Sequence, residues 1–218
     1  MTAVVVPPRL VLDARELARA LLADLPERWR HTVGVARRAE HLSGTLPDAT
    51  DAETLVAAAW LHDIGYADAL RDTGFHPVDG ALYLRCLGWP HRIAGLVAHH
   101  SAALCVADVR GLTDRLAPFP RERSAVADAL TYADQTVGPD GHIMEFDQRL
   151  DDMLRRHGPG SPNAVAHRRR APVLRAAVRR VEQRLSGAGT ADQLTSESAG
   201  PPRTEASGVV GTPRAPRA

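Results

Sequence analysis

The 218 residues of this chain are enough for one domain with a substantial hydrophobic core, and too few for two comfortable ones. Aromatic residues make up only 4% of the sequence, and alanine, leucine and valine supply most of its apolar content. That composition favours closely packed helices over a β-sandwich. The formal net charge of +1 argues against general nucleic-acid binding, which usually requires a strongly basic surface.

Neither the cysteines nor the N-terminal segment indicates export or a membrane anchor. Cys86 and Cys105 are too far apart in the sequence for a zinc knuckle or a redox pair. The apolar run over residues 3–6 is broken by Pro7 and is too short for a signal peptide, and no later stretch approaches transmembrane length. We therefore expect a cytoplasmic protein without a membrane partner.

Capping residues, prolines and glycines divide the chain into a succession of predicted helices. Asp13 and Asp51 are predicted N-caps, and Pro26 is predicted to open the second helix. The predicted helices run from Asp13 to about Leu25, Pro26 to Ser43, Asp51 to Gly65, Pro77 to Gly88, Pro90 through His100, Glu122 to Val137, Ile143 to Arg156 and Pro162 to Leu185. No segment alternates in the manner of a strand, so the predicted class is all-α.

The composition changes at Ser186. From there the chain consists mainly of Gly, Ala, Ser, Thr and Pro with scattered charges and no aromatic residue. Such a segment cannot bury enough apolar surface to offset its chain entropy. We therefore predict a single domain over residues 8–185 and a disordered tail over residues 186–218.

The third predicted helix is apolar and ends in two adjacent ionisable residues, His62 and Asp63. His62 shares a helix face with Leu55 and Ala58, and Asp63 lies above Val56, so both side chains are predicted to point inward. A buried carboxylate is costly unless it is paired or bound to a metal. The favoured interpretation is a pair of metal ligands.

Two more ionisable side chains, His31 and Asp134, lie on apolar stripes of other predicted helices. For His31 alone, a hydrogen-bonded core histidine would be the simpler interpretation. A shared cation, however, accounts for His31, His62, Asp63 and Asp134 together.

The order of these residues resembles the HD superfamily of metal-dependent phosphohydrolases over about residues 25–140. In that family a histidine, a histidine–aspartate pair and a distant aspartate hold a metal within a helical bundle, and members with two metals add three histidines before the last aspartate. The four matching residues are His31, His62, Asp63 and Asp134. The three added histidines would be His76, His99 and His100. The resemblance implies an HD-type helical bundle in which Asp63 bridges if two ions bind.

The three added histidines have alternative interpretations. His76 precedes a proline that can begin a helix, so its side chain could cap that helix instead of binding a metal. Adjacent residues on a helix project about 100° apart. His99 and His100 can therefore both reach one metal only if the helix ends or bends there, and otherwise one of them does not touch it.

Asp68 and Arg71 follow the pair closely and are candidate catalytic residues together with Asp63. Asp68 could hold a nucleophilic water, and Arg71 could hold a substrate phosphate. An exposed ion pair between them is an equally good interpretation.

Mixed imidazole and carboxylate ligands suit Mn²⁺, Fe²⁺, Co²⁺, Ni²⁺ or Zn²⁺ better than Mg²⁺. One or two such ions would supply hydroxide at neutral pH and neutralise charge on a phosphoryl group. The function implied by the resemblance is hydrolysis of a small phosphate ester, such as a nucleotide.

Two other functions stay open: a non-catalytic metal-binding or signalling domain, and a di-iron oxygenase of the same superfamily. The chain contains no lysine, whereas the best-known of these oxygenases use lysine at the substrate. Relatives that cleave cyclic dinucleotides commonly carry a lysine where Tyr66 stands and a Gly-Tyr-Pro motif where residues 101–103 are Ser-Ala-Ala. Cyclic-dinucleotide cleavage is therefore disfavoured.

Overall fold

The computed structural model describes residues 9–197, and side chains are described for residues 9–187. This part of the chain folds into ten α-helices and several short 3₁₀ turns. The helices are α1 (Arg9–Leu22), α2 (Pro26–Leu42), α3 (Ala49–Leu61), α4 (His76–Cys86), α5 (His91–His99), α6 (Ala103–Arg110), α7 (Thr113–Leu116), α8 (Ala125–Gln135), α9 (Phe146–His157) and α10 (Pro162–Glu197). Within residues 9–197 the only β-type pairing is an isolated bridge between Val137 and Ile143, so the all-α prediction is confirmed.

The central helix is α3, against which α1, α2, α5 and α8 pack. Every side chain from Thr54 to Leu61 is buried, and the run Ala57–Ala59 is fully inaccessible to solvent. A helix that is apolar on all sides must be covered on all sides. The small alanines let neighbouring helices approach closely, which places the C-terminal end of α3 deep inside the protein.

Two helix boundaries near the predicted site differ from the expectation. Asp48, not Asp51, caps α3, because the extended backbone of Asp48 lets its carboxylate accept the Asp51 amide at 2.8 Å. The helix also ends at Leu61 instead of Gly65. His62 is therefore the C-cap residue, and Asp63 lies just beyond the helix. The direction of the Asp63 side chain is therefore not fixed by helical geometry.

The C-terminal helices cover one side of this core. Helix α10 packs on α8 and α6, and α9 packs beside it. The helix predicted to end at Leu185 continues to Glu197, into the segment predicted as a disordered tail, and the rest of that segment lies outside the described residues. None of the described helices combines the length and the hydropathy that crossing a bilayer requires.

Candidate metal centre

Five segments of the fold bring six ionisable side chains together beside the end of α3. All of these side chains are buried except His76, which is 20% exposed. They are His31 from α2, His62 and Asp63 at the end of α3, His76 at the start of α4, His100 just after α5 and Asp134 from α8. Every residue of the predicted four-residue set is therefore present in one cluster.

The first group of possible ligands comprises His31, His62 and Asp63, whose ligand atoms all lie within 4.8 Å of one another. Asp134 adjoins them, because its Oδ1 lies 3.0 Å from Nε2 of His31 and 3.9 Å from Nε2 of His62. Two imidazoles and two carboxylates thus surround one small volume.

The second group comprises Asp63, His76 and His100, again with ligand atoms within 4.8 Å of one another. Oδ1 of Asp63 lies 3.3 Å from Nε2 of His76 and 3.9 Å from Nε2 of His100. The two histidine Nε2 atoms are 3.2 Å apart. Asp63 is the residue that the two groups share.

Backbone carbonyls set the tautomer of three of the histidines. Each ring donates its Nδ1 hydrogen to a carbonyl, so that Nε2 of the neutral ring keeps its lone pair and faces the cluster. The carbonyls belong to Gly138 for His31, Ala59 for His62 and Val97 for His100, at 3.0, 2.8 and 2.6 Å respectively. Metal-binding histidines are oriented in this way by their outer hydrogen bonds.

The cluster lacks the donors that its acceptors need. Nε2 of His62 is completely buried and has no hydrogen-bond partner among the described residues. With the Nδ1 proton of His31 given to a carbonyl, Nε2 of His31 and Oδ1 of Asp134 are both acceptors 3.0 Å apart. Acceptors that face each other repel unless a proton or a cation lies between them. These nitrogen and oxygen atoms with free lone pairs therefore fit a divalent cation.

The protonation states also suit a cation. Burial raises the pKa of Asp63, but the charges of His62, His76 and Arg28 outweigh this and hold the pKa well below its usual range. Asp134 is likewise shifted well below its usual pKa: burial raises the pKa, but a proton shared with His31 in the absence of a cation, together with nearby histidine charges, lowers it by more. Burial lowers the pKa of His76 and of His100. Anionic carboxylates and neutral imidazoles are the forms that bind metal ions.

His99 does not join the cluster. Helix α5 ends at His99, whose Nε2 donates to the carbonyl of Phe119 at 3.1 Å. The next residues turn sharply, because Ser101 and Ala102 both adopt left-handed conformations with φ of 51° and 55°. The structure thus separates the two adjacent histidines and brings only His100 to the metal centre.

Asp68 and Arg71 lie outside the cluster as well. They form an ion pair with each other at 2.9 Å, and their side chains are 85% and 65% exposed. Neither lines the cavity beside the metal centre. The structure therefore agrees with the alternative interpretation, in which Asp68 and Arg71 form an exposed ion pair, and not with a catalytic role for them.

Residues that sequence reasoning did not select complete the site. The Ser101 hydroxyl donates to Oδ2 of Asp134, and the Gln135 amide donates to the same oxygen at 2.8 Å. These two donors hold Oδ2 of Asp134, so that Oδ1 faces the histidines of the cluster. The adjacency of Ser101 and Gln135 to His100 and Asp134 in the sequence was the available signal.

A second unselected pair lies on the opposite side. Tyr66 stacks on His76 with ring centroids 4.0 Å apart, and the Arg28 guanidinium lies 4.1 Å from the Tyr66 ring centroid and 3.4 Å from Asp63. Burial and the neighbouring Asp63 charge raise the pKa of Tyr66 to about 12, so its hydroxyl stays protonated at neutral pH.

A cavity opens onto the metal centre, and its lining is rich in arginine. Asp63 and Asp134 are its only carboxylates among the described residues. The lining arginines are Arg28, Arg149, Arg156 and Arg170. Among these, the Arg170 side chain is buried, because α10 docks with this residue toward the cavity.

Comparison with known proteins identifies one related family. The model of the HD domain family matches residues 28–136, which is half of the chain and includes all six clustered side chains. Neither the curated proteins nor the solved structures contain a match to this chain.

Proposed function

Because the chain belongs to the HD domain family, we propose that it is a metal-dependent phosphohydrolase that cleaves a small phosphate ester, such as a nucleotide. The observation that carries this proposal is the buried Nε2 atom of His62, which has no hydrogen-bond partner among the described residues and faces two carboxylates. A divalent cation satisfies that nitrogen and compensates the charge of the carboxylates.

The two groups of side chains support a site for two ions. His31, His62, Asp63 and Asp134 would hold one ion, and His76 and His100 would hold the other and share Asp63 with the first. Bound divalent ions of this kind supply Lewis-acid polarisation of a phosphoryl group and lower the pKa of water to near neutrality. Manganese, iron, cobalt, nickel and zinc all suit such mixed nitrogen and oxygen ligands.

The protein's own residues prepare the site for an anionic substrate. Ser101 and Gln135 hold the Asp134 carboxylate in one orientation, and Arg28 balances part of the charge of Asp63. The arginines in the cavity lining outnumber its two carboxylates, which favours an anionic ligand there.

The proposed reaction is a simple hydrolysis. The oxygen of water forms a new bond to phosphorus, the bond between phosphorus and the leaving-group oxygen breaks, and a proton from water ends on that leaving oxygen. The products are an alcohol and inorganic phosphate, or an alcohol and a phosphomonoester where the substrate is a diester. No redox partner is required.

Two of the histidines that the sequence analysis selected, His76 and His99, offer a matched test. We expect wild-type protein to bind two equivalents of Mn²⁺, and His76→Ala to bind one equivalent and to lose most phosphate release. His99→Ala, the control, should keep both ions, because His99 bonds to Phe119 and lies outside the cluster. Elemental analysis after gel filtration measures the ions, and a panel of nucleotides and sugar phosphates measures release.

The same experiment can reject each part of the proposal. One ion in saturated wild type, with no loss in His76→Ala, would rule out the two-ion site. Two bound ions without phosphate release from any member of the panel would instead favour a non-catalytic metal-binding domain.

A further inference from the structure

Two buried arginines line the cavity beside the metal centre, and neither belongs to the segment matched by the family model. Arg149 lies on α9 and Arg170 on α10, and each is 8% exposed. Their elements follow the matched residues 28–136 in the chain. Any role of this pair is therefore a property of this chain's C-terminal helices.

Each guanidinium is anchored by a single hydrogen bond to the backbone of the site. Nε of Arg149 donates to the carbonyl of Val137 at 2.9 Å, next to the residue whose carbonyl orients His31. Nε of Arg170 donates to the carbonyl of Ser101 at 2.9 Å, next to His100. Both guanidiniums are thus positioned by the same backbone segments that position the candidate metal ligands.

The remaining donors of both guanidiniums have no protein acceptor. Among residues 9–187, the terminal nitrogens of Arg149 and Arg170 make no hydrogen bond and no ion pair. Other arginines of the same two helices behave differently: Arg156 pairs with Glu27 at 2.6 Å, and Arg175 pairs with Asp147 at 2.7 Å. Most arginines of these helices pair with a carboxylate, and the exposed Arg168 and Arg179, which do not pair within the described residues, can be hydrated by solvent, whereas the two buried ones cannot.

Burying two unpaired cations near each other is unfavourable. Burial lowers the pKa of Arg170, the charge of Asp134 partly offsets this, and the charge of Arg149 lowers the pKa further. The Asp134 carboxylate already accepts hydrogen bonds from Ser101 and Gln135 and faces the candidate metal centre. An anion that enters the cavity would relieve the repulsion between the two guanidiniums and occupy their free donors.

We propose that Arg149 and Arg170 form a phosphoryl-binding site, and that the substrate is a phosphomonoester whose terminal phosphoryl group lies between these guanidiniums and the metal centre. This inference rests on the proposed hydrolase function. Guanidinium groups bind phosphate oxygens in a bidentate manner. A monoester phosphoryl group carries up to two negative charges, and a diester carries one, so two fixed cations favour the monoester.

The first test measures binding without turnover. Inorganic phosphate is titrated calorimetrically into the full-length chain, both freed of metal by a chelator and loaded with Mn²⁺. We expect Arg149→Gln and Arg170→Gln to weaken phosphate binding about tenfold or more in both forms. Arg175→Gln is the control, since Arg175 lies on α10 with 45% of its side chain exposed, and should bind phosphate as wild type does.

Metal analysis of the same variants distinguishes this inference from the proposed function. The arginine variants should keep the metal content of wild type, because neither arginine is a ligand. If the protein binds no metal at all, the proposed function fails, while the arginine dependence of phosphate binding by the metal-free chain still supports the anion site. Equal phosphate binding by wild type and both variants would overturn the proposed phosphoryl-binding site. The absence of phosphate binding by wild type in either form would overturn it as well.

A second measurement addresses the substrate class. With loaded enzyme, the ratio of kcat/KM for p-nitrophenyl phosphate to that for bis(p-nitrophenyl) phosphate should fall about tenfold or more in the Gln variants. An unchanged ratio would refute the monoester assignment.

If a Gln variant does not fold, Arg149→Lys and Arg170→Lys replace it. The lysine variants keep the charge and should bind phosphate more weakly than wild type. Unchanged phosphate binding by the lysine variants would overturn the proposed phosphoryl-binding site.

Discussion

We expect Asp63→Ala to remove metal from both groups of the centre and to lower phosphate release by at least about a thousandfold, or roughly 4 kcal/mol of transition-state stabilisation. The reason is the position of this carboxylate, whose Oδ2 lies 3.9 Å from His31 and whose Oδ1 lies 3.3 Å from His76. No other described residue belongs to both groups. The helical fold should persist, because α3 is held by its apolar side chains.

A matched control for this variant is Asp79→Ala. Asp79 is also a buried aspartate, but it accepts hydrogen bonds from the backbone and hydroxyl of Thr73, outside the metal centre. Its loss should cost about 1 to 3 kcal/mol of stability and leave the bound metal unchanged. Elemental analysis, circular dichroism and urea unfolding compare the two. Stoichiometric metal retained by folded Asp63→Ala would refute its role as the shared ligand.

The second large effect is expected for Gly65→Ala, which should destabilise the protein by about 3 kcal/mol. A Cβ at this position would overlap the carbonyl oxygen of His76 and lie 2.6 Å from the amide nitrogen of Gly80. Both atoms belong to the backbone of α4, so no side-chain rotation can make room. Helix α4 must therefore shift, and it would carry His76 away from Asp63.

Urea unfolding and metal analysis together test this expectation. Gly44→Ala is the control, because a Cβ at Gly44 meets no atom within 4 Å. We expect the control to unfold as wild type does and to keep its metals. A Gly65→Ala protein as stable as Gly44→Ala, with the same metal content, would show that the contact between α4 and the turn after α3 is adaptable.

The sequence predicts most of this candidate metal centre because hydrophobic patterning and helical spacing are local properties. His31, His62, Asp63 and Asp134 each fall on an apolar stripe, and a buried charge on such a stripe needs a partner wherever the helix lies. The N-cap of α3, by contrast, is not decided by local sequence. Asp48 and Asp51 both suit an N-cap, and the choice depends on which backbone becomes extended.

His99 and His100 show where local reasoning ends. Their spacing predicts that both can reach one site only if the helix stops, and the helix does stop at His99. Which of the two then faces the centre depends on the left-handed turn at Ser101 and Ala102. That turn is not a glycine turn, so composition carries no signal for it, and hydrogen bonds from Ser101 to Asp134 and from Arg170 to Ser101 accompany it.

The sequence by itself therefore determined the all-α class and selected the four residues that cluster at the candidate metal centre, because these follow from the periodicity and polarity of single helices. Only the tertiary structure decided that His100 and not His99 faces the centre and that Asp68 and Arg71 remain on the surface. The burial of Arg149 and Arg170 was decided in the same way. The burial of the two arginines depends on how α9 and α10 dock on residues distant in the chain, and long-range packing of that kind has no counterpart in local sequence spacing.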